Sequence, residues 1–218
     1  MDKNKRSLIL DEARKQFYEN GYLASSLEMI ARRCGIQKQA ISYYFGSKEK
    51  LAQEVYTNII RDQNFVIRSK ARTELGVTDE KILNAISILF VPRWYREDDN
   101  VMRFFSEFNF NYMMDVKNLK NDGLKNFNMM SSYVDEENSD MQQLYMAYIA
   151  MCYASNGALL HFCHNEFFLS LDTFTKYHFS LRFIPFIKDP DKLDAFYNEV
   201  NDVYKKMNFT IRPYFVIE

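Results

Sequence analysis

Only 6 glycines and 4 prolines punctuate the 218 residues of this chain. A β-barrel or sandwich needs a turn every 8–12 residues or so, and turns draw on those two residue types. So few breakers point instead to long helices with short connections. Apolar residues make up 47% and charged residues 26% of the chain, ordinary values for a globular protein that can bury a core. I, i+4 spacing supports the helical reading. Ile9, Ala13 and Phe17 share one face of a first helix over about 6–20, and Gly21 stands where a left-handed cap would end it. Leu51, Val55 and Ile59 form the buried stripe of a fourth helix.

Charge is unevenly spread. Residues 1–50 carry ten Lys or Arg against six Asp or Glu, a net +4, and residues 51–218 carry eighteen against twenty-three, a net −5. A basic head on an acidic body suggests an anionic partner for the head. Cys34, Cys152 and Cys163 are odd in number and irregular in spacing. The first residues hold no apolar signal core, and no run of 18 apolar residues is present. The expectation is a cytoplasmic chain with reduced thiols and no membrane span.

Within the head, Ser25-Ser26-Leu27-Glu28 reads as a capping box with Ser25 as the cap. It opens a second helix that ends near Cys34-Gly35, and a short third helix follows over about 37–44. Two short helices joined by a tight turn at Gly35 make a helix-turn-helix, whose second helix lies in the DNA major groove. Its outward side chains are Gln37, Lys38, Gln39, Ser42 and Tyr43. Gln can pair with an adenine edge and Lys with guanine acceptors. Ile41 and Phe45 face inward. Ser47 caps the fourth helix, whose first turn carries Lys48 and Lys50. Cations are unfavourable at a helix N-terminus unless an anion is there. A backbone phosphate held by free N–H groups and Lys48 would supply it, with hydroxyls of Ser26 and Tyr44 as further donors.

Ile30-Ala31, then Cys34-Gly35-Ile36, then Ile41-Ser42-Tyr43-Tyr44-Phe45-Gly46-Ser47-Lys48-Glu49-Lys50-Leu51, resembles the signature of the TetR family of bacterial regulators. Phe17 and Gly21-Tyr22 match it too. Gln37, Gln39 and Ser42 depart from the family pattern at positions where a small residue, a small residue and a tyrosine are common. The resemblance implies an all-α homodimer: an N-terminal three-helix helix-turn-helix DNA-binding domain over 1–50, and a larger C-terminal helical bundle over 51–218 that dimerises and holds a ligand cavity. It implies double-stranded DNA with a near-palindromic operator as one partner and a small-molecule effector as another, most simply for a repressor that the effector releases.

The body reads as helices near 79–91, 98–118, 122–134, 139–168, 172–187 and 190–207, with a break at Pro92 among others. It holds most of the 19 Phe, 15 Tyr and 11 Met. Met and aromatic side chains suit an adaptable cavity wall, although any one of them can equally be plain core. The expected effector wall is Trp94, Phe104, Phe108, Tyr112, Met113, Phe127, Met130, Tyr148 and Cys152, around an apolar or aromatic ligand. Arg93, Arg103 or Glu107 would set the charge it tolerates. Segment 139–168, about 45 Å as a helix, carries a stripe of Ala147, Ala150, Ala154, Gly157, Ala158 and His161 that lets another helix approach. The family places 139–168 and 172–187 at the dimer interface, which leaves 189–218 as an extra helix and tail.

His161 and His164 flank Cys163 without an acid at i+4, so neither a metal nor any other cofactor is expected. No Gly-rich phosphate loop, nucleophile elbow or metal-spaced His/Glu motif points to an enzyme. The competing reading is a DNA-binding adaptor whose body docks a protein and no small molecule.

Overall fold

The computed structural model describes residues 3–113, 124–134 and 140–218; the side chains of 109–113 and 124–126 lie outside that description, as do 114–123 and 135–139. Among the described residues the chain is helical apart from one small hairpin. In order run α1 (Lys3–Asn20), α2 (Leu27–Cys34), α3 (Lys38–Phe45), α4 (Lys48–Leu75), α5 (Glu80–Glu97), α6 (Asp99–Met113), α7 (Leu124–Met130) with a 3₁₀ turn at Ser131–Tyr133, α8 (Met141–Cys163), α9 (Leu171–Phe183) and α10 (Pro190–Tyr204). Strands β1 (Ile211–Arg212) and β2 (Val216–Ile217) close the chain as an antiparallel pair.

Two compact units result. The first comprises Met1–Val66, Asp98–Tyr112 and Phe209–Glu218; the second comprises Ile67–Glu97 and Met113–Asn208. A division after residue 50 would cut α4 near its start, whereas the first unit keeps most of that helix and gathers α6 and the last ten residues to it. The reason lies in the stripe on α1. Ile9, Ala13 and Phe17 are buried, and Phe17 stacks on Phe104 of α6 at 5.6 Å between ring centroids. Phe104 in turn stacks on Phe108 at 5.7 Å. Each fully buried ring of this kind is worth about 1.5–3 kcal/mol, so α6 belongs with the head. Leu51, Ala52, Val55 and Ile59 of α4 complete the core below α1.

In the second unit α5 continues through Pro92, against the expected break there. Its apolar face, Ile82, Leu83, Ile86, Leu89 and Phe90, runs on to Trp94, all buried. Extending that face through the proline outweighs the one hydrogen bond that proline removes. The α8 helix spans 23 residues rather than the expected 30, because Asn165 turns left-handed (φ 60°) and Ser170 caps α9. α8 and α9 pack antiparallel, as the Phe162–Phe174 stack (4.0 Å, 3°) and the Cys152–Arg182 contact show. The α10 helix starts at Asp189, whose carboxylate accepts from Asp191 and Lys192 N–H, with Pro190 in the first turn. What followed as an unassigned tail in the sequence is the hairpin.

Gly21 closes α1 with φ 77°, and its N–H donates to Phe17 O at 2.9 Å. A Cβ there would meet the Glu107 carboxylate at 2.6 Å, while that carboxylate accepts from Leu23 N–H at 2.7 Å. Gly21→Ala is therefore expected to cost at least about 1–2 kcal/mol from the left-handed backbone alone, and more because Glu107 must also yield. Urea melts followed by circular dichroism check this. A midpoint equal to that of the native chain would show that the turn relaxes freely.

Candidate nucleic-acid interface

The turn between α2 and α3 is built from backbone caps. Ser26, not Ser25, caps α2: its extended backbone lets Oγ accept from Met29 N–H at 3.2 Å. Ser25 is buried and its hydroxyl donates to Gly21 O at 2.6 Å, so the carbonyls ending α1 have claimed the expected cap. Gly35 ends α2 at φ 64°, and Ile36 N–H bonds Ala31 O at 3.0 Å. Arg33 of α2 reaches α1 through Glu12 (3.0 Å) and Glu19 (2.5 Å). These ties hold the Cys34 turn against α1, where burial pushes the Cys34 thiol above its ordinary range.

Seated on this platform, α3 turns Ile41 and Phe45 inward, both buried, with the Arg6 guanidinium 4.9 Å over the Phe45 ring. Gln37, at the N-cap but making no capping hydrogen bond with its side chain, is exposed with Lys38, Gln39 and Tyr43; Ser42 and Tyr44 are half-buried. Tyr43 is 79% exposed, an unusual exposure for an aromatic ring, with the Tyr44 ring 5.4 Å away in a T-shaped arrangement. Lys38 is paired with Glu28 of α2, and that pairing holds the Glu28 carboxyl below its usual range. A DNA contact by Lys38 would compete with that carboxylate for the ammonium.

Lys48 takes a different place from the free cation expected of it. Its ammonium donates to Tyr22 O at 3.1 Å and Ser25 O at 3.0 Å and lies 4.3 Å over the Tyr22 ring. It fastens the α1–α2 turn to the start of α4. Ser47 caps α4 by accepting from Lys50 N–H at 3.2 Å, as its sequence position suggests.

The expected effector wall divides between the two units. Phe104 and Phe108 pack inside the first, against Phe17 and Tyr22. Arg103 there donates to the carbonyls of Tyr18 and Glu19, and Glu107 holds Leu23, so both have structural partners. In the second unit Phe127 meets Tyr145 (4.9 Å), Tyr148 (5.7 Å) and Phe186 (6.3 Å). Burial, with the Cys152 thiol adjacent, pushes the Tyr148 phenol up. Cys152 accepts from Arg182 at 3.6 Å, Trp94 lies beside Phe90, and Met130 is buried. Arg93 pairs with Glu97 at 2.8 Å. Tyr112 and Met113 have side chains outside the described residues.

The sequence placed Ser155 among residues of 139–168 that could line a cavity, but His178 was not singled out. His178 of α9 and Ser155 of α8 are buried, and among the described residues neither the imidazole nitrogens nor the hydroxyl has a hydrogen-bond partner. Both lie between the Cys152–Arg182 and Phe162–Phe174 contacts along the helix pair. Their spacing within apolar stripes, Cys152-Ser155-Leu159-Phe162 and Phe174-His178, was the available signal. An open cleft of about 590 Å³ between α9 and α10 is lined by Lys176, Tyr177, Tyr197 and Asn201, among others, and by none of the expected effector residues.

Residues 9–55 match the family model described as bacterial regulatory proteins, tetR family. The HTH-type transcriptional regulator YhgD of Bacillus subtilis (strain 168) is 31% identical over 62 residues, 28% of this chain and 32% of YhgD. YuxN, an HTH-type transcriptional regulator of the same organism, is 35% identical over 91 residues, 37% of this chain and 31% of YuxN. The chain thus covers less than a third of the length of either relative. A solved HlyIIR mutant overlays 95% of the chain and 98% of its own at 17% identity, with a TM-score of 0.38. A chain solved in work on control of antibiotic production by bacterial hormones does so over 85% and 98% at 19% identity, with a TM-score of 0.40. At those scores neither overlay bears on the body.

Burial, reinforced by the Arg182 charge, pushes His178 from 6.5 down to about 3. The unfolded chain takes up a proton near pH 6.5 that the folded core refuses. Stability conferred by the neutral imidazole is therefore whole above pH 6.5 and erodes as pH falls toward about 3, by at most about 1.4 kcal/mol per pH unit. Thermal melts from pH 7 to pH 4 should fall less steeply for His178→Phe than for the native chain; equal slopes would mean the imidazole is protonated in the fold.

Proposed function

We propose that this chain, whose residues 9–55 belong to the tetR family of bacterial regulatory proteins, is a transcriptional regulator that binds double-stranded DNA as a homodimer and is a repressor released by a small effector. The observation that carries DNA binding is the row Gln37, Lys38, Gln39 and Tyr43, exposed on α3 while Ile41 and Phe45 anchor that helix from behind. Such a row presents donors and acceptors to base edges from a fixed platform. Lys48 supports it indirectly, by bracing the turn that precedes the α4 N-terminus, where N–H groups can meet a phosphate.

A second copy has a face to meet. Ala147, Ala150, Ala154 and Gly157 of α8 are exposed, with Met146 69% exposed beside them, Tyr177 exposed on α9 and Ile184 exposed at its C-terminal cap. Small residues let a partner helix come close, and a two-fold dimer would read two half-sites. For the effector, the Phe127, Tyr148 and Cys152 region of the second unit offers rings, and Trp94 and Met130 are buried in the same unit. His178 and Ser155 offer polar atoms that want a partner. An apolar or aromatic molecule with one hydrogen-bonding group suits that mixture.

Selection of duplexes from a random pool, followed by footprinting, tests the first part. Two protected half-sites related by a dyad are expected. Lys38→Ala and Gln39→Ala should change which sequences are selected, whereas Lys48→Ala should lower affinity for all of them. No selection above background would remove the DNA-binding reading.

For the effector, a thermal-shift screen with aromatic and apolar compounds should give a hit that weakens operator affinity roughly 5- to 150-fold. Tyr148→Ala should lose that response while keeping operator binding. A hit that raises the melting temperature and leaves operator affinity unchanged would leave no role for it in release.

A further inference from the structure

The last ten residues do not stay with the unit they emerge from. The chain leaves the second unit at Asn208, and Phe209–Glu218 belongs to the first. Phe215, 2% exposed, fits a seam between two helices of that unit. Tyr18 of α1 meets its ring edge-on at 5.2 Å, and Phe104 and Phe105 of α6 meet it at 5.1 and 6.2 Å. Tyr214 lies 5.2 Å from the Tyr18 ring.

One side chain of α1 grips the turn itself. Arg14 Nε donates to Tyr214 O and its Nη2 to Phe215 O, both at 2.8 Å, while Nη1 reaches Asp62 of α4 at 3.0 Å. The planar guanidinium serves the two carbonyls and the Asp62 carboxylate from three separate nitrogens held in one fixed fork. Both gripped residues are left-handed, Tyr214 at φ 63° and Phe215 at φ 61°. Two successive aromatic residues do not hold that backbone in a free tail; surroundings must impose it. Nor is a hairpin with two residues in each strand stable alone, even with the mutual Thr210–Glu218 backbone pair (2.9 and 3.0 Å). Shape and docking therefore come together or not at all.

We propose that residues 209–218 are a strap that fills the α1–α6 seam, with Arg14 as its clamp, and that by holding α1 in place the strap sets the affinity of the head for DNA. The second half rests on the DNA-binding reading above. The α1 helix is the platform that α2 packs on and from which Arg6 covers Phe45 of α3, so a looser α1 presents α3 less uniformly. Tyr18 Oη to Asp98 (2.9 Å) and Arg103 to the α1 carbonyls also join α1 to α6, so loss of the strap loosens the platform without dismantling it.

The test uses the full chain in two variants. Phe215→Ala removes the plug, and Arg14→Lys keeps a cation near Asp62 but cannot reach both carbonyls and that carboxylate from separate nitrogens as the guanidinium fork does. Amide hydrogen exchange by mass spectrometry and affinity for a duplex selected by the native chain are the readouts. Both variants should speed exchange at least about tenfold in 209–218 and measurably in α1, leave α9 and α10 unchanged, and weaken DNA binding roughly 3- to 10-fold. Native exchange rates in 209–218 for both variants would overturn the clamp and plug. Faster exchange there, with α1 and DNA affinity unchanged, would reduce the strap to a packed tail and overturn its hold on the head. Should Phe215→Ala unfold the first unit, Arg14→Lys decides by the same criteria. Should the native chain select no duplex, the DNA-binding reading fails, and exchange in α1 alone decides the strap.

Discussion

Phe17 of α1 lies flat against Phe104, which lies flat against Phe108, and from this column of rings the first unit takes its form. Because α1 offers its apolar stripe to α4 and its Phe17 ring to α6, three stretches far apart in sequence become one body. The tail joins it through Phe215 against the same Phe104. Polar ties then set angles that rings alone leave loose. Arg103 reaches the carbonyls that end α1, Glu107 takes the Leu23 N–H, and Arg14 bridges the tail turn and α4. Where such ties carry charge and are partly shielded they are worth more than surface pairs, whose median is near zero to 1 kcal/mol.

The surface that would face DNA is held ready by its own ion pairs. Lys38 rests on Glu28, Arg33 on Glu12 and Glu19, and Lys48 on two carbonyls and a ring. Only the first of these engages a residue of the α3 outward row. Exchanging Glu28 for a phosphate or a base costs little in water, because both partners are solvated, and it leaves the platform ties undisturbed. If Lys38 reads bases as proposed, base-reading and platform-building fall to different cations within a short stretch of chain.

In the second unit, His178 stacks on Phe174, and both it and Ser155 are buried without a hydrogen bond among the described residues. Burial of an unbonded polar group is costly. Such groups persist where something other than side chains completes them, whether an ordered water or a bound molecule. This separates them from Phe104 and Phe108, which are fully occupied with packing.

Periodicity and breaker residues carried most of the helix pattern. The Ile9-Ala13-Phe17 stripe, the Gly21 and Gly35 caps, Ser47 before α4 and the inward pair Ile41 and Phe45 were all legible, because each rests on contacts within a turn or two of chain. The α3 outward row was legible for the same reason. Tertiary packing decided what local chemistry left balanced. Pro92 stays helical because a continuous apolar face outweighs one missing hydrogen bond. Ser25 loses the cap to Ser26 because the carbonyls of α1 claim its hydroxyl. Lys48 turns inward because Tyr22 and Ser25 stand beside it only once the head is folded. The aromatic residues of α6 and α7 are alike in composition, yet Phe104 seats the head and Phe127 joins a cluster in the other unit; hydrophobicity says that a ring is buried and not against what. Least legible was the tail, since nothing local favours Tyr214 and Phe215 in left-handed backbone, and Arg14, two hundred residues away, supplies hydrogen bonds to both of their carbonyls.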